Sequence, residues 1–280
     1  SVNSNANQDR AVAGVITLTV APGADDANVA DSSQPEPIEE MIVVGSRRLV
    51  PRSVSESPVP VDIISAEQLA FLGNSADLTD SLRTLVPSYI ATPATGDASA
   101  FVRPTSVRGM SPDQTLVLVN GKRRHRSAVV HFFAPAAGNG SHGVDVGMVP
   151  TIAIKNVQIL RDGAAAQYGS DAIAGVINIE LNDASQDGEV RASYGQFYEG
   201  ESSVQVAANL GLPLGGYGFV NMSIEATDND ALSRGIIRPD AQALINAGVV
   251  GVGADSPFGD APFTQTWGRP ETSGQRFYFN

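Results

Sequence analysis

The sequence predicts an α+β domain followed by antiparallel strands that belong to a larger sheet. Capped helices and short apolar strands alternate over residues 55–181. After Asp187, apolar and polar residues alternate with the period of two that is typical of strands. Gly and Pro are abundant, at 28 and 17 residues, and aromatic residues make up only 6% of the chain. This composition favours short strands and turns over a helical bundle.

Charge and cysteine content exclude several classes of protein. The 280-residue chain has a net charge of −12, whereas a general nucleic-acid binder usually has a basic surface. It contains no Cys, which excludes disulfides, thiolate metal sites and Cys nucleophiles. Its apolar runs are shorter than the roughly 18 residues that a membrane-spanning helix needs. A spanning strand needs only about ten alternating residues, so a membrane protein built from strands remains an alternative.

The first 47 residues have two contrasting parts. Residues 1–38 are expected to form a disordered leader, because the composition of residues 21–40 cannot bury a core. The apolar run from Ala11 to Val20 is either the remnant of a signal peptide or part of that leader. The segment from Met41 to Val44 has strong β character between an acidic and a basic flank. It is either a strand of the next domain or a strand that adds to another protein's sheet.

Cap and turn signals locate the elements of residues 55–181. Ser65 and Gln68 have the spacing of a capping box, so a helix is expected to begin there. Asn120-Gly121 is a strong signal for a tight hairpin turn. The predicted elements are the strand Val59 to Ile64, the helix that Gly73 ends, the helix from Asn74 with Leu78, Leu82 and Leu85 on one face, and the strands Thr115 to Val119, Val157 to Leu160 and Gly175 to Leu181.

Four two-sided strands are predicted over residues 187–280. A soluble sheet packed on one side and an outer-membrane barrel both show this pattern. The connections favour the barrel, because Leu212 to Gly216 is a short turn and Asp228 to Gly274 is a long segment without a strong strand pattern. Transmembrane barrels alternate short turns with long loops. The sequence ends within the fourth strand, so the expected fold is a truncated transmembrane β-barrel.

No motif for catalysis or metal binding is present in the sequence. Asn139 stands where a nucleophile elbow needs Gly, and Gly121-Lys122 lacks the remainder of a phosphate-binding loop. His125, His131 and His142 lie in one polar, Gly-rich stretch, which favours a solvated loop over a metal site. We therefore expect no enzyme activity, no cofactor and no metal.

Six basic residues form an island in an otherwise acidic chain, with only Asp113 opposing them nearby. They either pair with acidic groups on an enclosing wall or attract an anionic solute. Ion pairing is the favoured interpretation for Arg108. Both alternatives stay open for Arg123 and Arg126, because these follow the hairpin turn. The six residues are Arg103, Arg108, Lys122, Arg123, Arg124 and Arg126.

Two blocks of sequence resemble the plug domain of TonB-dependent outer-membrane receptors. The first joins Ser106-Val107-Arg108-Gly109-Met110 to the segment from Thr115 to Arg123. The second joins the segment from Lys155 to Gly163 to the segment from Tyr168 to Ile179. The blocks occur in order and at the family's spacing. Glu40 to Val44 is then similar to the TonB box, and the resemblance covers residues 39–181 well and the later strands loosely.

The resemblance implies a plug held inside a barrel of about 22 strands. The plug and the TonB box would face the periplasm, and the barrel would lie in the outer membrane. The implied domains are a leader at 1–38, the TonB box at 39–47, the plug at 55–181 and a partial barrel at 187–280.

The family's function is energised uptake of a scarce solute. The implied partners are the C-terminal domain of TonB with its inner-membrane energising complex, outer-membrane lipid, and a small molecule or metal chelate such as siderophore-iron, cobalamin or carbohydrate. The alternative is a soluble β-rich ligand-binding module, and an enzyme with an unrecognised site ranks last.

Three groups of candidate site residues follow. The TonB-binding residues are Glu40, Met41, Ile42, Val43 and Val44. By motif match, the plug–barrel contacts are Arg108, Gly109, Arg161, Asp162 and Gly163, with acidic partners for Arg108 and Arg161 expected beyond residue 280. The hairpin is expected to form a rigid stalk, and loops on rigid scaffolds often carry binding residues. The substrate-binding candidates after it are Arg123, Arg126, His131, Phe132, Phe133, Asn139 and His142.

Overall fold

Two five-stranded sheets dominate the structure, which is a computed structural model. It describes residues 12–20, 41–42, 52–53, 61–71, 78–91, 102–130, 139–161, 165–216, 218–233, 235–253, 255–257 and 268–280. We call the sheet within residues 61–181 the plug sheet, and the sheet formed by residues 12–20 and 188–279 the wall sheet. None of the helices in these ranges is long and apolar enough to cross a membrane.

The strands are β1 Val12–Val20, β2 Met41–Ile42, β3 Arg52–Ser53, β4 Val61–Ser65, β5 Tyr89–Ala91, β6 Thr105–Val107, β7 Thr115–Val119, β8 Lys122–Arg123, β9 Ile154–Leu160, β10 Gly175–Leu181, β11 Gly188–Gln196, β12 Ser202–Leu214, β13 Gly218–Asn229, β14 Leu232–Ser233, β15 Gly268–Arg269 and β16 Thr272–Phe279. The α-helices are α1 Ala66–Phe71, α2 Leu78–Leu85, α3 Ala165–Tyr168 and α4 Pro239–Asn246. Short 3-10 turns lie at Pro112–Gln114, Thr151–Ala153 and Ser170–Ala172.

The plug sheet has the strand order β4-β9-β10-β7-β8 and an apolar cluster on each face. β10 and β7 run parallel, and the other neighbouring strands run antiparallel. Ile159 and Ile177 belong to the larger cluster, which includes Leu82 of α2. Leu116 and Val176 belong to the smaller cluster on the opposite face. Burial on both faces explains why these strands are nearly continuous apolar runs instead of alternating ones.

The local signals of the plug region are confirmed. The Ser65 backbone N–H donates to Gln68 Oε1 at 2.9 Å, and the Gln68 N–H donates to Ser65 Oγ at 3.3 Å, as a capping box requires. Asn120 and Gly121 have φ angles of 48° and 72°, and the type I′ hairpin turn needs two positive φ values.

The boundaries of the plug elements differ slightly from the prediction. β7 and β10 have the predicted ends. β4 ends at Ser65 instead of Ile64, and β9 begins at Ile154 instead of Val157. The predicted start of β4 at Val59 lies outside the described residues. The predicted helix boundaries at Gly73 and Asn74 lie outside the described residues.

The wall sheet is antiparallel throughout, with the strand order β1-β11-β12-β13-β16. Its polar face is buried, and its apolar face is exposed. Glu225 and Asn221 are each 2% exposed, whereas Phe277 and Phe279 are 58% and 69% exposed. Glu225 accepts hydrogen bonds from Arg276 Nη1 at 2.5 Å and from Gln205 Nε2 at 2.8 Å. The sheet thus has the reverse of the polarity that water-soluble sheets show.

The leader differs from its expected state. Residues 1–38 were expected to be disordered, or in part a signal remnant, but Val12–Val20 forms β1 at the edge of the wall sheet. It pairs with β11 so that Ile16 lies opposite Ala192 and Leu18 opposite Val190. Ile16 and Leu18 are both exposed, as are the apolar residues of the wall sheet. The pairing gives hydrogen-bond partners to an edge of β11 that would otherwise be open.

The segment between β13 and β16 contains a helix that the sequence did not predict. The stretch from Asp228 to Gly274 was predicted only to lack a strong strand pattern, and between β13 and β16 it contains α4 and the two-residue strands β14 and β15, which pair with each other. Pro239 begins α4, where a missing N–H costs nothing, and Asp240 lies in the first turn, where the helix dipole favours a negative charge. The helix therefore forms from these start signals although the apolar periodicity of the segment is weak.

We predict that a polypeptide of residues 55–181 folds without the wall sheet, because its apolar clusters lie almost entirely within that range. Urea unfolding followed by circular dichroism should show one cooperative transition. Leu82→Ala, which empties a fully buried site in α2, should lower the free energy of unfolding by about 2–5 kcal/mol. Exposed Ile90→Ala should have a much smaller effect. A gradual, non-cooperative loss of signal would contradict the prediction.

Candidate functional site

Three of the substrate-binding candidates line one cleft of the plug. Arg123, Arg126 and His142 surround a cavity of about 140 Å³ together with Asp113 and Asp171. Apolar walls come from Pro112, Leu116 and Val144 among other residues. We call this cavity the arginine cleft. It lies beside the first residues of β7 and next to the Ser170–Ala172 turn that precedes β10.

Asp171 carries the ion pairs of the arginine cleft. Its carboxylate forms a close ion pair with Arg123 Nη1, and its other oxygen lies 4.0 Å from Arg126 Nη2. Arg123 Nη2 also donates to the backbone oxygen of Tyr168 at 3.3 Å. The ion pair between Arg123 and Asp171 therefore joins strand β8 to the turn at Ser170–Ala172. Asp171 was not among the predicted site residues, although it lies in the second family block.

His142 shapes the cleft through hydrogen bonds to its neighbours. Its backbone N–H donates to Asp113 Oδ1 at 2.8 Å, and its imidazole Nε2 donates to the backbone oxygen of Ser127. Asn139 is exposed in a turn and does not line the cleft. The remaining substrate-binding candidates, His131, Phe132 and Phe133, lie outside the described residues.

The hairpin turn points away from the arginine cleft. The chain turns at Asn120-Gly121 and then returns beside β7, where the Arg124 N–H donates to the Val117 backbone oxygen at 2.9 Å. The turn itself contacts the end of β10, because Asn120 Oδ1 accepts from the Leu181 N–H at 2.9 Å. The hairpin turn therefore does not carry the substrate-binding candidates at its tip, as the predicted stalk implied. The cleft forms where the returning strand reaches the beginning of β7, and the candidates Arg123 and Arg126 follow that return.

A cluster of asparagines joins the plug to the wall sheet at the hairpin end. Asn120 Nδ2 donates to Asn280 Oδ1 at 2.8 Å, and Asn280 Nδ2 donates to the Asn182 backbone oxygen at 2.9 Å. Asn182 Nδ2 donates to Asn209 Oδ1 at 3.2 Å, and Asn209 Nδ2 lies 2.5 Å from Asn221 Oδ1. We call these five residues the asparagine cluster. Neutral amide groups thus make the main polar contacts at this end.

The segment between the plug and β11 is fitted closely against the wall sheet. Asn221 Nδ2 donates to the Ala184 backbone oxygen at 3.2 Å, and the Gly211 N–H donates to the Asp187 backbone oxygen at 2.8 Å. A Cβ atom at Gly211 would collide with the backbone of Ala184. On the adjacent strand, Tyr278 packs on the plug core and lies 6.0 Å from the Arg124 guanidinium, a cation–π distance.

The predicted plug–barrel arginines make contacts within the plug. Arg161 Nε lies 2.8 Å from Asp62 Oδ2, and Arg108 Nη1 donates to the Arg161 backbone oxygen at 3.2 Å. Arg108 and Gly109 have φ angles of 61° and 72° in the turn after β6, where Gly adopts the left-handed conformation at little cost. Asp162 and Gly163 lie outside the described residues. Pairing of the two arginines with barrel acids stays a prediction.

Asp80 of α2 anchors a buried ion pair. Arg103 is 4% exposed, and its Nη2 donates to Asp80 Oδ1 at 2.7 Å. Burial by itself raises the pKa of Asp80, but the hydrogen bond and charge of Arg103, with the charges of Arg269 and Arg83, hold that pKa below its usual value. Arg269 belongs to β15, so this carboxylate also attracts the segment between β13 and β16 to the plug.

The predicted TonB box is partly paired within the chain. Met41–Ile42 forms a two-residue antiparallel ladder with Arg52–Ser53, and its pairing with another protein's sheet stays a prediction. The sequence could not reveal this partner, because Arg52–Ser53 has no strand pattern of its own. Glu40, Val43 and Val44 lie outside the described residues.

Residues 53–176 match the family model described as the TonB-dependent Receptor Plug Domain. A ferric enterobactin receptor of Pseudomonas aeruginosa is 31% identical over 128 residues, which cover 45% of this chain and 17% of that protein. A probable TonB-dependent siderophore receptor of Acinetobacter baumannii is 32% identical over 146 residues, covering 51% and 18%. The vitamin B12 transporter BtuB of Photobacterium profundum is 25% identical over 213 residues, covering 75% and 32%.

A solved structure shows the same fold. The ferric enterobactin receptor mutant R480A of Pseudomonas aeruginosa, in complex with enterobactin, matches with a TM-score of 0.51 and 26% identity, covering 70% of this chain and 27% of that one. The chain spans less than a third of the length of these relatives. Residues 53–176 therefore match the plug domain of TonB-dependent receptors, and a set of antiparallel strands follows them in the chain.

We predict that Asp80 supports the plug at neutral pH and loses this effect in acid. A carboxylate with a lowered folded-state pKa stabilises the fold above its unfolded pKa of about 3.9, and the contribution disappears as the pH falls through the folded value. Asp80→Asn in the 55–181 polypeptide should reduce stability by about 1–3 kcal/mol at pH 7, because Arg103 stays buried without its charged partner. Urea unfolding across pH measures this, with Asp62→Asn as the control, since Asp62 and its partner Arg161 are both partly exposed. A difference that is unchanged from pH 7 to below pH 3 would contradict the prediction.

Proposed function

We propose that this chain is the N-terminal part of an outer-membrane receptor that takes up a scarce solute in a step driven through TonB. The reversed polarity of the wall sheet carries the proposal. Val206, Leu210, Ile224 and Phe277 lie on one exposed face, while the opposite face buries Asn, Ser, Thr and Glu against the plug. In water such a continuous apolar surface favours aggregation, whereas in a bilayer the same surface contacts the hydrocarbon chains of the lipid.

The soluble alternative has no comparable support. A one-sided soluble sheet would bury Ile224 and expose Glu225, and the structure has the opposite arrangement. The short β12–β13 turn, near residues 215–216, also lies at one end of the sheet, and the long segment between β13 and β16 lies at the other end. By the rule for transmembrane barrels, the short turn and the asparagine cluster would face the periplasm. The arginine cleft would then open toward the outside.

The solute is proposed to contact the plug near the arginine cleft. Arg123, Arg126 and His142 line the cleft, and His131, Phe132, Phe133 and Asn139 belong to the chain between them. The relatives are named for ferric enterobactin, for a siderophore and for vitamin B12. Siderophore-iron, cobalamin and carbohydrate therefore remain the proposed solute classes. Arg108 and Arg161, with Gly109, Asp162 and Gly163, are proposed to face barrel residues beyond residue 280.

A charge placed on the exposed face of the wall sheet tests the membrane assignment. Ile224→Lys should reduce the folding stability of the full-length receptor in lipid vesicles by about 2–4 kcal/mol, because the side chain would enter hydrocarbon. Leu244→Lys on α4 is a matched control, since the two side chains are 44% and 47% exposed. The readout is the folded fraction on a heat-modifiability gel over a urea series. Equal, small effects for both variants would favour a soluble protein.

Proline in the TonB box tests the energised step. We propose that Met41 to Val44 pairs as a strand with the C-terminal domain of TonB, since a β-forming segment with an open edge suits strand addition. Ile42→Pro removes one backbone donor and restricts Met41, so uptake should be lost while solute binding persists. Arg48→Pro, outside the box, is the control. Normal uptake of a radiolabelled solute by the Ile42→Pro receptor would exclude this role.

A further inference from the structure

We propose that Asn139 is a site of spontaneous modification, at which the side-chain amide is converted to a carboxylate through a cyclic imide formed with Gly140. This inference goes beyond the receptor function and does not depend on it. Asn-Gly is the dipeptide most prone to the reaction, because Gly has no Cβ to hinder attack by its backbone nitrogen. The chain contains two such dipeptides, Asn120-Gly121 and Asn139-Gly140, and only the second is left unprotected.

The reaction consumes only water and releases ammonia. The backbone nitrogen of Gly140 attacks Cγ of Asn139 and forms a succinimide ring, while the bond from Cγ to Nδ2 breaks. The proton of the Gly140 N–H leaves with Nδ2 as ammonia. Water then opens the ring at either carbonyl group, which gives aspartate in one case and isoaspartate in the other. Both products place a negative charge at a position where the chain has a neutral amide.

The two dipeptides are matched in exposure and in the conformation of their glycines. Asn120 and Asn139 are both exposed, as are the glycines that follow them. Gly121 and Gly140 have φ angles of 72° and 83°. Apart from neighbours in the chain, no described atom lies within 4 Å of the position that a Cβ would take on either glycine. Burial, crowding and the backbone of Gly therefore predict no difference in reactivity.

Hydrogen bonds hold both reacting groups of the first dipeptide. Asn120 Oδ1 accepts from the Leu181 N–H at 2.9 Å, and Asn120 Nδ2 donates to Asn280 Oδ1 at 2.8 Å. The Gly121 N–H, which must lose its proton before the attack, donates to Asn178 Oδ1 at 3.0 Å. The ring can therefore form at Asn120 only in the fraction of molecules in which the hairpin turn has opened.

The second dipeptide lacks these restraints. Within the residues that the structure describes, no hydrogen bond holds the Asn139 side chain or the Gly140 N–H. The chain is anchored just after the dipeptide, where the His142 N–H donates to Asp113 Oδ1 at 2.8 Å. The Asn139 amide can therefore rotate toward the Gly140 nitrogen without breaking a contact to the described chain. Conversion in the folded protein is expected at Asn139, and Asn120 is expected to resist it.

The experiment incubates the full-length receptor at mildly alkaline pH, folded in detergent and, in parallel, unfolded in urea. Peptide mapping by mass spectrometry follows both sites, and labelling by an isoaspartyl methyltransferase detects isoaspartate. In the folded receptor Asn139 should convert at least about tenfold faster than Asn120, because a closed turn reacts only through its open fraction. In urea the two rates should become similar, since the dipeptides are the same. Asn139→Gln should remove the isoaspartate signal from its peptide, because the longer side chain cyclises far more slowly.

Asn178→Ala tests the protection of the first dipeptide. It frees the Gly121 N–H and should speed the conversion of Asn120 several-fold in the folded receptor. Asn156→Ala is the matched control, because it removes an asparagine from the adjacent strand β9 that does not contact the turn. Asn280→Ala frees Asn120 Nδ2 and should act in the same direction, which keeps the test open if Asn178→Ala does not fold. A heat-modifiability gel checks the folding of each variant.

Two results overturn the proposal. One is an equal or slower conversion of Asn139 than of Asn120 in the folded receptor. The other is no conversion of Asn139 in the folded receptor under conditions that convert it in urea. Unchanged protection of Asn120 in the folded Asn178→Ala and Asn280→Ala receptors overturns the part assigned to hydrogen bonds. The receptor function fails separately, through the insertion assay with Ile224→Lys.

Discussion

The reversed polarity of the wall sheet is the constraint on which the remainder of the structure depends. A sheet that buries its polar face must find a partner for each buried polar group, because an unsatisfied group costs as much as a lost hydrogen bond. Glu225 meets this need within the wall, through Arg276 and Gln205. Asn209 and Asn221 meet it partly through the plug and its connecting segment. The plug and its connecting segment therefore provide hydrogen-bond partners that the buried polar face of the wall sheet needs.

The forces that stabilise the plug differ from the forces that attach it to the wall sheet. Its own strands are buried between two apolar clusters, so the hydrophobic effect holds them together. Its described contacts with the wall sheet are hydrogen bonds such as that between Asn120 and Asn280, and Tyr278 adds an apolar contact. Polar contacts can exchange for water at modest cost, whereas opening an apolar core cannot. The plug can therefore shift against the wall more easily than it can unfold.

Sequence predicted the features that depend on neighbouring residues. The Ser65–Gln68 capping box, the Asn120-Gly121 turn and the alternation of the wall strands are all local, and the structure contains each of them. Contacts between distant residues were not predictable from one sequence. Arg123 and Asp171 are 48 positions apart, and Asn120 and Asn280 are 160 apart. The pairing of β1 with β11 was missed for the same reason, since a strand pattern does not identify its partner.

The asparagine cluster has a consequence for how the protein responds to its surroundings. Amide groups carry no charge and do not titrate near neutral pH, so dissolved ions and protons leave their hydrogen bonds almost unaffected. The arginine cleft at the other end is held by full charges, which mobile ions screen. One end of the plug is thus anchored in a way that tolerates brackish or acidic water. The ion pairs at the other end weaken as the salt concentration rises.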